Sequence, residues 1–118
     1  MIYYSEKQPS IIILDDSLQI KAIYGENIEF AEIAGISLID KSMSDIGIGT
    51  RTNGYGGFGE TLKGNFKSGN LGETLLFVES RTSPTIKIER IDKKDVYLSL
   101  SNSESTDLLY QELIAAIQ

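Results

Sequence analysis

The sequence predicts a mainly β domain: an antiparallel barrel or sandwich of about seven short strands, capped by one C-terminal α-helix. Three observations carry this. Apolar residues alternate with polar ones in segment after segment. Turn residues interrupt those segments at short intervals. The period changes to that of a helix only after Ser103. The chain has 118 residues. It fits one domain spanning 1–118, long enough to bury roughly two-thirds of its unfolded surface without a metal or disulfide.

The elements follow in order. Residues 1–9 are largely polar, carry Tyr3 and Tyr4, end at Pro9, and read as a lead-in or an edge strand. Ile11 to Leu14 form a β-branched run, the mark of a buried strand. Asp15, Asp16 and Ser17 make a turn, because short polar side chains hydrogen-bond their own backbone. Leu18, Ile20, Ala22 and Tyr24 alternate with Gln19 and Lys21, giving a half-buried strand. Gly25 to Asn27 turn the chain, and Ile28 and Phe30 flank Glu29 in a short strand. Ala31 to Gly35 form a corner, and Ile36, Leu38 and Ile39 resume extended structure. The segment 41–53 lacks a period and reads as a loop. Leu75 to Val78 form the next strand, 81–84 a turn, and Ile86 and Ile88 another alternating strand. Residues 91–95 are a polar turn with room for a bulge, before Val96, Leu98 and Leu100. In 103–117, Leu109, Leu113 and Ile117 recur at i, i+4 and i+8, with Tyr110 and Ile114 widening the stripe. The serines and Asp107 at its start supply caps and negative charge, which favour the first turn of a helix. That stripe is expected to cover one open end of the sheets.

Composition removes whole classes of function. The chain has no histidine and no cysteine. Catalytic triads, thiol nucleophiles, H-E-x-x-H sites and most zinc sites are therefore excluded. The lack of cysteine fits a reducing cytosol, so a cytoplasmic location is expected. The net charge of −6 argues against nucleic acid, whose phosphates need a clustered positive surface. No stretch approaches the roughly 18 apolar residues of a membrane helix, and the N-terminus lacks a signal peptide's basic start and apolar core.

The densest signal is TRTNGYGGFGETLKGNF, residues 50–66, where Gly54, Gly56 and Gly59 spell G-x-G-x-x-G. A phosphate-binding loop of that pattern must open a helix, whose first amides hold the phosphate. Gly64, Gly69 and Gly72 each cost about 1 kcal/mol inside a helix and argue against one. Glu79, twenty residues past Gly59, is a cheap coincidence in an acidic chain. Gly54, Gly56, Gly57, Gly59 and Gly64 are better read as structural, the bends and close backbone approaches of a barrel corner. Phe58, Leu62 and Phe66 share parity, as strands require.

The block G-Y-G-G-F-G, then Gly64-Asn65-Phe66, Leu75 to Val78, Thr85 to Ile88, Val96 to Ser99 and the closing helix resembles the bacterial pleckstrin-homology (PH) domain family over residues 50–117. The first fifty residues match it only in pattern. The resemblance implies a PH-like barrel: two near-orthogonal antiparallel sheets capped by a C-terminal helix. Such domains often follow transmembrane helices, and this chain carries none, so it reads as a stand-alone member or an excised domain.

Candidate site residues are few. Arg51, Lys63, Lys67 and Arg81 surround the glycine-rich stretch, the one region where bases outnumber acids, and are candidates for an anion site. Tyr55, between two glycines, is the tyrosine most expected to be exposed and to contact a partner. Asp15 and Asp16 lack calcium-loop spacing and read as a turn. Lys93 and Lys94, flanked by Asp92 and Asp95, read as a solvated turn. No catalytic residue, metal site or cofactor is expected. The expected function is a non-enzymatic interaction module with a protein partner or a second copy at an exposed sheet edge. Any link to a membrane assembly would run through a partner or a segment outside this chain. The alternative is a barrel that carries a small ligand in its interior. Direct binding to anionic lipid is not expected. The turn 14–17 is acidic, and Lys21 is its nearest base.

Overall fold

A computed structural model describes residues 2–5, 10–21, 25–47, 50–55, 61–68, 72–79, 81–100 and 102–117. The first sheet is a meander of β1 (Ile2–Ser5), β2 (Ser10–Ile13), β3 (Ser17–Lys21) and β4 (Glu26–Glu29), in that order and antiparallel throughout. Strand β1 lies within the expected lead-in. Asp15 and Asp16 are exposed in the β2–β3 turn. That turn is closed by the Leu14 amide donating to the Ser17 carbonyl at 2.8 Å. Ile11, Ile13, Leu18, Ile20 and Ile28 are buried, so alternation puts one face of this sheet in the core.

A 3₁₀ turn at Phe30–Glu32 forms the expected corner and leads into β5 (Ile33–Ile39). The second sheet adds β6 (Thr50–Tyr55), β7 (Thr61–Ser68), β8 (Gly72–Glu79), β9 (Thr85–Arg90) and β10 (Asp95–Leu98). Its order is β5-β9-β10-β8-β7-β6. The described residues therefore form ten strands in two sheets, more than the seven expected. Short strands such as β1 hold too few residues to show a period. The expected antiparallel order also fails at one place: β10 runs parallel to β8, with Val96 opposite Leu75 and Leu98 opposite Phe77. Among the described residues each sheet has two end strands, and the two sheets do not close on one another. The segment expected to be loop holds β6 and a four-residue helix, α1 (Met43–Ile46), in which the Ser42 hydroxyl accepts from the Asp45 amide.

Two cores result. The main one lies between the sheets. Leu75, Phe77, Ile86, Ile88, Val96 and Leu98 meet Ile11, Leu18, Ile20 and Ile28 there. The second lies on the opposite face of the larger sheet, where Met43 joins Leu62, Phe66, Leu76, Val78 and Tyr97. Strand β8 is buried on both faces, which is why its Leu-Leu-Phe-Val run does not alternate.

The C-terminal helix α2 (Ser103–Ile117) packs Leu109 and Leu113 into the main core. Its cap differs from expectation: the Asn102 side-chain carbonyl accepts from the Ser105 amide at 2.8 Å. The Thr106 hydroxyl, fully buried, accepts from the Leu100 amide at 2.8 Å and donates to the Asn102 carbonyl at 3.1 Å. Ile117 is a correction: it is 36% exposed. Residues spaced by four drift about 40° per step around a helix of 3.6 residues per turn. Ile117 thus sits about 80° from Leu109 and leaves the sheet.

Candidate functional site

The glycine-rich hairpin is a strand pair. Thr61, where a nucleotide-binding helix would run, begins β7. Gly54 lies opposite Gly64, which in turn lies opposite Leu76. Gly64 has φ of 114°, a conformation available to glycine and strained for other residues. Gly56, Gly57 and Gly59 lie outside the described residues.

Register divides the predicted basic residues. Lys63 pairs with Tyr55 and Phe77, Asn65 with Asn53 and Leu75, and Lys67 with Thr50 and Glu73. Lys63, Asn65 and Lys67 therefore share one parity on β7. Arg51 pairs with Phe66 and has the other parity, past a register shift between Arg51 and Asn53. Strand pairing thus groups Lys63 with Lys67 and separates Arg51 from them. Lys67 is exposed, as is Arg81 in the β8–β9 turn. Tyr55 occupies the last position of β6, and its side chain lies outside the described residues.

Parity puts Asn65 on the face of the larger sheet that meets the first sheet. There a cleft of about 710 Å³ opens, lined by Glu26, Asn65, Leu75, Arg90, Asp92, Lys93 and Lys94. Arg90, at the end of β9, organises it. Its side chain is 3% exposed. Nη1 donates to Glu26 Oε2 at 2.7 Å, and Nε donates to the Lys94 carbonyl at 2.8 Å. Glu32 from the 3₁₀ corner sits behind. Its Oε1 is 3.8 Å from Arg90 and takes no hydrogen bond, while its Oε2 accepts from Lys93 at 3.0 Å. These contacts tie both sheets to the β9–β10 turn, where Asp92 has φ of 59°.

Lys93 and Lys94 lie in the expected turn between Asp92 and Asp95, which is exposed at Lys93 and half-buried at Lys94. Lys93 is exposed but pairs with Glu32. Lys94 is half-buried, and its ammonium donates to the Asn65 side-chain carbonyl. Asp95 instead sits 3.9 Å from Lys87. No local pattern announces the Asn65 contact, which joins residues 29 apart in sequence.

Among the described residues, no group of three or more carboxylates could hold a metal ion. The resolved shift in acidity falls on Tyr97 in the second core. Burial pushes its phenol above the usual 10.0, and the Asp95 and Glu89 carboxylates add to that. The cleft therefore offers fixed charges and hydrogen-bonding groups, the equipment of recognition. The chain matches no protein-family model, no curated protein and no solved structure.

Proposed function

We propose that the chain is a non-enzymatic, PH-like interaction module that binds a protein partner. One observation carries the reading. The larger sheet ends, on both sides, in a strand with no further partner among the described residues: β5 and β6. Such edges present free amides and carbonyls to an added strand. The PH-like part is supported by a four-stranded meander, a corner, a second sheet and a final helix on the core, in that order. The parallel β8–β10 pair is the feature the resemblance does not imply. Among the described residues no helix is long and apolar enough to cross a membrane. Attachment to a membrane assembly would come from the partner or from another segment.

The alternative of a small-ligand carrier receives less support, because the space between the sheets is filled by large apolar side chains. Native mass spectrometry of freshly purified protein tests it: a constant extra mass would favour the carrier.

The module reading is tested at the edges. Ser37→Lys on β5, Thr52→Lys on β6 and Tyr55→Ala are each compared with the parent chain by light scattering and by cross-linking of captured partners. At least one variant is expected to lose an association while keeping its thermal transition. If all three keep every oligomer and every cross-link, the reading fails.

A further inference from the structure

We infer that strand β5 pairs with β5 of a second copy of this chain, antiparallel about a twofold axis through Ser37. This rests on the interaction-module reading and names the edge, the occupant and the register.

Strand β5 is set apart by what it lacks. Its seven residues, Ile33–Ile39, include no charge and no proline. Natural sheets guard an exposed edge with residues of those kinds. The other end strands differ: β6 carries Arg51, β4 carries Glu26 and Glu29, and β1 has only four residues. In a chain of net charge −6, a second copy approaches most easily where no acid leads the contact. The uncharged stretch between Glu32 and Asp40 meets that condition.

The register follows from the fold. Strand β5 pairs with β9 in step from Gly35 to Ile39, and the shift between Ile33 and Gly35 leaves Ala34 bulged. The centre of the regular stretch is Ser37, which is exposed. A twofold axis normal to a sheet keeps every side chain on its own face, so the axis passes through a residue and not between two. Centred on Ser37, Ile36 faces Leu38 of the second copy. Both are half-buried and pack on the main core, so the pairing continues that core across the axis. On the other face Ile39 meets Gly35 of the second copy, large against small, and the two Ser37 hydroxyls meet each other. Centred on Ile36, Glu32 would face Asp40 of the second copy and the bulge would enter the ladder. A foreign strand could match the backbone alone, whereas β5 also supplies the apolar partners for Ile36 and Leu38 and the small partner for Ile39. The paired residues number far fewer than the roughly 20–30 a side of a stable interface, so the dimer forms and dissociates with concentration.

Sedimentation velocity of the whole chain, at concentrations up to about 1 mM, tests this. A reversible monomer–dimer equilibrium is expected. Ser37→Lys and Ser37→Glu each set like charges against one another on the axis and should weaken the dimer roughly tenfold. An equimolar mixture of the two variants should restore it. Ser37→Cys, in a chain with no other cysteine, should give a disulfide-linked dimer when copper phenanthroline is added as oxidant. Ala34→Cys, at a position that is also exposed, should not, because its two copies stand roughly 20 Å apart along the ladder. The cysteine variant reads the register even if a charge at Ser37 disturbs β5. Four results would overturn the inference: a chain that stays monomeric throughout, a dimer indifferent to Ser37→Lys, a mixture no better than either charged variant alone, or linkage at Ala34→Cys as strong as at Ser37→Cys. If the chain stays monomeric while an edge variant still loses a cross-linked foreign partner, this inference falls and the module reading stands.

Discussion

Replacing Arg90 by Met removes the cation on which the two sheets converge and keeps most of its aliphatic bulk. The variant loses a 2.7 Å bond to Glu26, a 2.8 Å bond to the Lys94 carbonyl and a 3.8 Å ion pair with Glu32. Stripping one partner from a fully buried ion pair costs about 3–5 kcal/mol, because the orphaned charge has no water. Here the orphaned Glu26 side chain is 33% exposed and Glu32 20%, so both can be partly rehydrated and the pair is partly screened. The expected loss is therefore about 2–4 kcal/mol. At about 2.1 cal/mol/K per residue, the chain's unfolding entropy is about 0.25 kcal/mol/K, so the midpoint should fall by about 8–16 °C. Glu26→Gln alone should cost about 1 kcal/mol. With both changes together the loss should be smaller than the two added, since the second removes the charge that the first orphans. Urea unfolding of the four proteins measures each value. A loss below about 0.5 kcal/mol for Arg90→Met, or strict additivity in the cycle, would show that the network does not join the sheets energetically.

Further outcomes are expected elsewhere. Gly64→Ala should destabilise by about 1–3 kcal/mol in chemical denaturation, because φ of 114° is strained for alanine. Leu113→Ala should cost about 2–5 kcal/mol, whereas Ile117→Ala should cost under about 1 kcal/mol. Equal losses would contradict the described placement of the two residues. Thr106→Val leaves the buried Leu100 amide without its acceptor and should cost about 1–3 kcal/mol in the same assay. The Tyr97 phenol is held protonated above its ordinary 10.0, first by burial and then by Asp95 and Glu89. Its contribution is complete below that value and is lost as pH rises through the folded-state pKa, because the unfolded chain releases the proton first. Stability should therefore fall as pH rises above about 10, and Tyr97→Phe should flatten that fall in pH-dependent unfolding.

The sequence made legible what depends on neighbours along the chain. Leu18 and Ile20, Ile86 and Ile88, and Val96 and Leu98 alternate because one face of each strand enters the core, and the helix from Ser103 shows its own period. The parallel pairing of β8 with β10 left no trace, since alternation reports which face is buried and is silent on the neighbouring strand. Helix α1 escaped because four residues complete barely one turn. On β7, Lys63 and Lys67 stood out through local charge balance. Lys93 and Lys94, flanked by Asp92 and Asp95, read as a solvated turn. Their described partners, Glu32 and Asn65, come from distant segments brought close by the 3₁₀ corner and the β7 register. Arg90 and Glu26 are 64 positions apart, so only the folded chain shows that they pair.

The position of β10 has a consequence for how the chain is made. Of the ten described strands this one comes last in sequence, yet it lies between β9 and β8 near the middle of the larger sheet. Without Asp95 to Leu98 the described ladders divide into two sets, β5 with β9 and β8 with β7 and β6. β10 joins them through an antiparallel ladder on one side and a parallel ladder on the other, and α2, next in sequence, packs on the core. A chain cut short before Asp95 should remain protease-sensitive across both sets, and protection should arrive in a single step once residues 95–117 are present.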